Sequence, residues 1–524
     1  MSPPPRSATT LPETAVTPSP PRTALVPRPA KARFKAGHFT FGTDTRLRVT
    51  AGAEPAAELL RTLLAPATGL RLPPAADGPV VLALDTALTG LGSEGYGLTI
   101  GPRSVLLRAR TVTGLLRGVQ TLRQLLPAQA LAATPRPGVP WTLPCADITD
   151  VPRLPWRGAM LDVARHFQPL PYLLRYVDLL ALHKINVFHL HLTDDQGWRM
   201  PVSAYPKLTE IGGHRRRTIR GPSGDHHDGT PHGGAYTRAE LGRLVAHAAA
   251  RGVTVMPEIE MPGHSRAALA AYPHLGNRPE RALDVWTRWG VCDTILGVHE
   301  EVLDFCRTVL EEVMDVFPSQ HLHIGGDECP TTEWERSPAA AGRVRSEGLA
   351  GPAALHGWFL TRVGAFLSRQ GRRPVAWAET GTELPPGFTA MAWRDPEHAL
   401  HAARHGHDVI NSYHRATYLD YPQSPGPDEP PGQPGGVVGL RDVHGHDPVP
   451  AAASPQTAAR ILGTQAHLWT EYAATPARIE YLTYPRLCAL ADAGWTGPTP
   501  WADFSSRLAG HTARLDALRV ARHP

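Results

Sequence analysis

Apolar and polar positions change their rhythm near residue 150. Upstream, 80–84 and 105–109 are apolar runs of strand length. Residues 111–126 carry Leu115, Leu116, Val119, Leu122, Leu125 and Leu126 at helical spacing. This mixture predicts a small α+β unit. Downstream, strand and helix patterns alternate. Strands are predicted over 157–163, 185–192, 253–259, 321–324, 374–377, 388–393, 409–413 and 462–469. Helices are predicted over 170–182, 237–251, 300–316 and 353–369, the second of them opened by Thr237 as N-cap. Such a succession implies a parallel sheet, and eight strand–helix units imply that the sheet closes on itself. The predicted fold class is therefore α/β, a (β/α)8 TIM barrel preceded by a smaller α+β domain. The expected division is a disordered Pro-rich leader at 1–21, an α+β domain at 22–148 and the barrel at 149–524. The Pro-, Gly- and Asp-rich stretch 422–450 reads as a long loop between the last two strands, of the kind that shapes a barrel mouth.

Composition adds boundaries to this picture. A chain of 524 residues has room for a barrel plus a smaller domain, and 42% hydrophobic with 19% charged residues is a globular composition. The net charge of +5 is small for this length, and the cations are scattered. The densest run, Arg215-Arg216-Arg217, reads as a solvated loop, so no nucleic-acid partner is expected. Residues 1–30 contain no apolar segment of signal-peptide or membrane-span type, so no membrane association is expected. Five cysteines (Cys145, Cys292, Cys306, Cys329 and Cys488) are widely spaced without a CxxC pair. Reduced thiols in a cytoplasmic setting are the expectation.

The candidate chemistry lies at the strand ends. The decapeptide from His321 to Pro330 is a short strand that breaks at Gly325 and Gly326 and continues into Asp327 and Glu328. In a parallel barrel such a position faces the active-site mouth, and paired carboxylates there suit glycoside hydrolysis. Other predicted strands end alike. Arg165 follows the first, Asp194 and Asp195 the second, and His264 the third. Trp377 ends the fifth, Arg394 and Asp395 follow the sixth, Tyr418 and Asp420 come after the seventh, and Trp469 and Glu471 end the eighth. Sugars present apolar faces rimmed by hydroxyls. Aromatic rings such as Trp358, Trp377 and Trp469 cover the faces, and Arg165, Asp420 and Glu471 bind the hydroxyls. Trp334, Trp393 and Trp495 read as structural.

These residues carry a resemblance. His323-Ile-Gly-Gly-Asp327-Glu328 is similar to the signature of family 20 glycoside hydrolases, the β-N-acetylhexosaminidases. So are the segments Arg157-Gly-Ala-Met-Leu-Asp-Val-Ala-Arg165, Asn186-Val-Phe-His-Leu-His-Leu-Thr-Asp194, Pro257-Glu-Ile-Glu-Met-Pro-Gly-His264 and Leu468-Trp-Thr-Glu471, in the family's order. The resemblance implies a retaining exo-enzyme that releases terminal β-linked GlcNAc or GalNAc. Its nucleophile is the substrate's own 2-acetamido oxygen, through an oxazolinium intermediate. It implies Glu328 as general acid and then base, with a pKa near the working pH. Asp327 then holds the acetamido N–H, Tyr418 donates to its carbonyl, and Asp194 and His264 form a supporting pair. Trp358 (by spacing), Trp377 and Trp469 form the walls, and Arg165, Asp420 and Glu471 bind hydroxyls. N-acetylhexosamine-containing glycans or chitooligosaccharides are the implied substrates, with no cofactor and no metal. The first domain resembles the family's non-catalytic domain.

Two departures stand out. Members often carry a further Trp after the Tyr-x-Asp segment, and 432–446 contains none, which leaves that subsite wall unassigned. The insertion 224–234 is rich in His and Gly, with His226, His227 and His232; it reads as a flexible lid rather than a metal site. Three alternatives stay open at this level. One is a disaccharide-releasing or chitobiose-specific relative, and another is a sugar-binding protein without catalysis. The third is a metal-dependent hydrolase built on His189, His191 and His323.

Overall fold

A computed structural model describes residues 24–222, 224–379 and 383–524. The leader expected at 1–21 lies outside the described residues.

The upstream unit is a six-stranded mixed sheet. Its strands lie in the spatial order Lys31–Thr40, Thr142–Asp150, Tyr96–Ile100, Val105–Ala109, Val80–Leu84 and Leu47–Val49. Period-two alternation buries Tyr96, Leu98 and Ile100 beside Val105, Leu107 and Ala109. They share one core with the helices Glu54–Thr68 and Val112–Leu125. Thr111 caps the second helix by accepting Gly114 N–H at 3.2 Å. The strand Thr142–Asp150 carries the sheet past the join expected at 148.

That strand also delivers Asp150 to the barrel. Asp150 accepts from Lys184 Nζ at 2.6 Å, Tyr96 OH at 2.7 Å and Trp495 Nε1 at 2.8 Å. Arg157, at the start of the first barrel strand, bonds Glu94 at 2.5 Å. Buried charges cost several kcal/mol each unless paired. These pairs therefore fix the upstream unit at the N-terminal end of the barrel, opposite the mouth.

The barrel strands are Trp156–Asp162, Val187–His191, Thr254–Glu258, His321–His323, Arg373–Ala378, Thr389–Ala392, Asp408–Asn411 and Ile461–Leu468. They form a closed parallel barrel in chain order, with the eighth pairing the first. Trp156, Val187, Met256, Val375, Trp377, Met391 and Ile410 plug the interior. Alternation works here as well. On the second strand His189 and His191 turn inward to Glu258, while Phe188 and Leu190 join the core that surrounds the barrel. The helices Leu170–Leu182, Arg238–Ala249, Glu300–Val316 and Ala354–Arg369 belong to the outer layer. The C-terminal helix Trp501–Ala517 returns to the upstream unit, where Arg514 donates to Gln124 O at 2.9 Å and Ala24 O at 2.8 Å. No helix among the described residues is long and apolar enough to cross a membrane.

Candidate active site

Two tight backbone turns set the reacting groups in place. After the fourth strand, Gly325 and Gly326 take φ of 67° and 91°, and Glu328 itself sits at 44°. After the third strand His264 sits at 48°. Left-handed backbone in non-glycine residues costs about 1–3 kcal/mol and collects at functional sites. Gly325 has no alternative, because a Cβ there would lie 1.7 Å from Glu260 Oε2. Gly325→Ala is expected to cost about 1–3 kcal/mol by overpacking, read as a lower thermal midpoint with weakened activity. An unchanged midpoint would show that the turn is more pliable than this geometry implies.

The strand ends enclose a cavity of about 130 Å³. Arg165, Asp194, His264, Asp327, Glu328, Tyr418, Asp420, Trp469 and Glu471 all line it. Of the residues given a role in the sequence analysis, Trp377 and Trp358 lie outside this lining, as do the strand-end residues Asp195, Arg394 and Asp395. Trp377 is fully buried behind the cavity, its ring 5.8 Å from Trp469 and its Nε1 bonded to Glu258 at 2.8 Å. Trp358 requires a correction. It lies in the outer helix Ala354–Arg369 with the Arg343 guanidinium 4.9 Å above its ring, and it takes no part in the lining. Trp393, read as structural, stands in the lining instead and stacks on Tyr418 at 5.8 Å with 7° between planes. It follows the sixth strand, and that position was its signal. Glu260, Tyr421 and Gln433 complete the lining. Gln433 occupies the segment without a Trp, held by its N–H to Asp420 O at 2.9 Å, so an amide stands on that wall.

Electrostatics separates the carboxyls. His264 Nδ1 lies 3.2 Å from Asp194 Oδ1 and its Nε2 lies 3.6 Å from Glu328 Oε2. Burial disfavours the imidazolium, but Asp194, Asp195 and Glu328 outweigh it and hold His264 well above the usual range. Burial also pushes the Asp327 carboxyl up, to about 8, with the Glu328 and Glu379 charges acting in the same direction. Glu328 behaves differently. Burial pulls it upward, yet His264, Arg394 and Arg165 hold it below the ordinary value. The carboxyl raised toward neutral pH in the free protein is thus Asp327, whereas its role as acid implied Glu328. Arg394 explains part of this, because Nη2 donates to Glu328 Oε1 at 3.2 Å and Nε to Glu379 Oε1 at 2.8 Å. Glu379 also accepts the Glu328 N–H at 3.1 Å, so it braces the strained residue. Burial raises Asp420 well above its ordinary value, with Glu471 and Asp162 adding to it, and burial raises Glu471 against the pull of Arg165, with Asp162 and Asp194 adding to it. The Tyr418 phenol is raised too and stays neutral, and it accepts a hydrogen bond from Trp469, which leaves its own proton to donate.

Several buried atoms lack a hydrogen-bond partner among the described residues, namely Asp327 Oδ1, Asp420 Oδ1, Glu260 Oε2 and Trp393 Nε1. Unsatisfied buried groups are costly and point to a polar ligand.

Groups of donors within metal-ligating reach occur around Glu258, Asp194, His264 and Cys488. Their members face one another in ion-pair and hydrogen-bond contacts. His189, His191 and His323 all converge on Glu258, outside the cavity lining, and His183 Nε2 meets His511 Nε2 at 3.0 Å. Among the described residues His226, His227 and His232 form no such group. His232 instead accepts the Phe167 N–H at 3.0 Å.

Comparison with known proteins agrees with this geometry. The profile of glycosyl hydrolase family 20, catalytic domain, matches residues 154–498, and that of the family's domain 2 matches 22–151. A beta-hexosaminidase of Porphyromonas gingivalis is 36% identical over 95% of this chain, which spans 64% of that relative's length. A beta-hexosaminidase of Akkermansia muciniphila is 37% identical over 82% of this chain and 85% of its own. Among solved structures, a GH20 exo beta-N-acetylglucosaminidase of Vibrio harveyi, in complex with N-acetylglucosamine, superposes with a TM-score of 0.87 at 31% identity, covering 100% of this chain and 81% of its own. Profile and identity together span both domains, and the chain belongs to glycosyl hydrolase family 20.

Proposed function

We propose that the protein is a retaining exo-β-N-acetylhexosaminidase that releases terminal β-linked GlcNAc or GalNAc from glycans or chitooligosaccharides. One observation carries this reading. In a cavity sized for a single sugar, a partnerless Asp327 Oδ1 and a proton-donating Tyr418 share the lining with Glu328. An acetamido group offers one N–H and one carbonyl, which match that acceptor and that donor. The volume is below the roughly 300–1,000 Å³ of ordinary ligand pockets, which suits one terminal residue and not a chain.

The mechanism follows from the placement. Tyr418 and Asp327 fix the acetamide so that its oxygen attacks the anomeric carbon as the glycosidic bond breaks. Glu328 hands its proton to the leaving oxygen, and the sugar becomes an oxazolinium ion whose charge faces Asp327. Water then adds at the anomeric carbon while Glu328 takes its proton, so the configuration is retained. Glu328 is 29% exposed at its side chain. A bound leaving group covers it, removes solvent from the carboxyl and restores the upward pull of burial. Asp194 and His264 orient the acid, Trp469 and Trp393 form walls, and Arg165, Asp420 and Glu471 hold hydroxyls. All of these lie in 149–524, so we assign the chemistry to the barrel and none to 22–148. The five cysteines are unpaired, which supports a reducing, cytoplasmic setting.

The test is hydrolysis of nitrophenyl β-GlcNAc with and without chelator. Turnover is expected and should survive exhaustive chelation, because carboxylates and the substrate amide suffice. Loss with EDTA and recovery with Zn²⁺ would instead favour a metal-dependent hydrolase. No turnover under either condition would favour a binding protein.

A further inference from the structure

Asp194 is not the last charge behind Glu328. His191, at the end of the second barrel strand, stands between two carboxylates. Its Nδ1 makes a short hydrogen bond to Glu258 Oε2, and its Nε2 lies 2.8 Å from Asp194 Oδ2. Both partners accept, so both ring nitrogens carry protons and the ring is an imidazolium. The Trp469 ring packs edge-on against it at 4.8 Å. Glu258 accepts in turn from Trp377 Nε1 at 2.8 Å, with His189 Nε2 at 3.0 Å and His323 Nδ1 at 2.7 Å beside it. Arg165 Nη2 reaches the same Asp194 Oδ2 at 2.8 Å. That oxygen is therefore saturated by two cations. Asp194 Oδ1, already fixed by the Asp195 N–H at 2.7 Å, is left facing His264.

We propose that Glu258 and His191 are positioning residues for the general acid. The line Glu258, His191, Asp194, His264 and Glu328 alternates in charge from the barrel centre to the cavity. It locks the Asp194 rotamer and, together with Asp195 Oδ2 at 3.2 Å from the same Nδ1, the ring of His264, whose Nε2 faces Glu328 at 3.6 Å. No proton travels along it; each bond orients the next group. Without the carboxylate of Glu258, one ring nitrogen of His191 gives up its proton. With an amide at 258 accepting from Nδ1, the lone pair of Nε2 would face Asp194, and the carboxylate would turn away from its position against His264. This inference rests on the reading of Glu328 as the acid.

A buried carboxylate among histidines can also serve stability alone. The two roles differ in which substrates slow down. Glu258→Gln and Glu258→Asp are assayed on a β-linked GlcNAc disaccharide, whose departing alkoxide needs a proton, and on the dinitrophenyl β-GlcNAc, whose leaving group does not. Glu258→Gln is expected to lower kcat on the disaccharide by about 10–100-fold, the scale on which loss of the partner that orients a metal-bound histidine acts. The dinitrophenyl substrate should be nearly unaffected, KM little changed, and Glu258→Asp should recover most of the loss. Equal losses on both substrates would assign Glu258 to stability and overturn the proposal. Glu328→Gln serves as control. If it shows the leaving-group dependence and Glu258→Gln does not, this inference alone fails; if neither shows it, the acid assignment fails first. Should Glu258→Gln not fold, a neutron structure of the unaltered protein decides. Deuterium on both ring nitrogens of His191 is expected, and deuterium on only one would refute the chain.

Discussion

Glu328→Gln is expected to slow hydrolysis of a β-linked GlcNAc disaccharide by about 10²–10⁴, the usual value of general-acid transfer. The amide keeps the size and shape of the carboxyl and can still accept from Arg394, which lies 3.2 Å from Oε1. It has no proton to give to a leaving oxygen. The site tolerates the change because the side chain stands at the mouth and takes no part in core packing. The strained backbone stays braced by Glu379 through the N–H of residue 328. The thermal midpoint should therefore stay close to that of the parent protein. Loss should shrink as the leaving group becomes more acidic, and dinitrophenyl β-GlcNAc should be cleaved at a rate set by the acetamide alone. Turnover of the disaccharide at the parent rate would remove Glu328 from the chemistry.

Most of the cavity was legible because its residues obey a simple rule. A side chain just past the C-terminal end of a barrel strand faces the mouth, so locating the strands locates Arg165, Asp194, His264, Asp327, Glu328, Trp469 and Glu471. Tyr418 and Asp420 sit farther along their loop, and the role of Tyr418 needed the family motif. Trp358 rested on spacing alone, and spacing does not locate a strand end. Two short helices, Thr332–Glu335 and Pro338–Ser346, take up chain between Glu328 and Trp358, and Trp358 ends in the outer layer. Trp393 obeys the strand-end rule, but a single Trp is more often core, so the sequence alone leaves it structural. Of the ion pairs, only that of Asp194 with His264 was legible, and only through the family motif. His191 and Glu258 are 67 positions apart, and Arg394 and Glu328 are 66. No local pattern marks such partners, and the depressed Glu328 carboxyl follows from them. The three histidines of a metal-hydrolase reading show the same limit. Their alternation predicts that only some of them face the mouth, and the folded barrel shows all three gathered on one carboxylate, Glu258.

A β-glucoside lacking the 2-acetamido group is expected to be turned over negligibly beside the matching β-GlcNAc substrate. Asp327 and Glu328 are adjacent at one strand end, and a conventional retaining pair must place its carboxyls on opposite sides of the bond, about 5–5.5 Å apart. Neighbouring residues of a single turn do not flank a bond that way, and in the proposed mechanism the nucleophile comes from the substrate. The acetamide supplies it, and removing the acetamide removes attack, orientation and the partner of the buried Asp327 Oδ1 together. Asp327→Asn separates these effects. In the free protein burial pushes this carboxyl to about 8, so its charge is disfavoured until a cation forms beside it. The oxazolinium ion is that cation. An amide keeps the shape and a carbonyl that can accept the N–H, but it cannot answer the charge. The expected loss is about 10²–10³ in kcat, the scale of one preorganised electrostatic partner in a dry site, with KM changing far less. A thiazoline analogue of the intermediate should inhibit the parent protein strongly and Asp327→Asn weakly. Comparable hydrolysis of nitrophenyl β-glucoside and β-GlcNAc, or a covalent glycosyl adduct trapped on Asp327, would show that the protein, and not the substrate, provides the nucleophile.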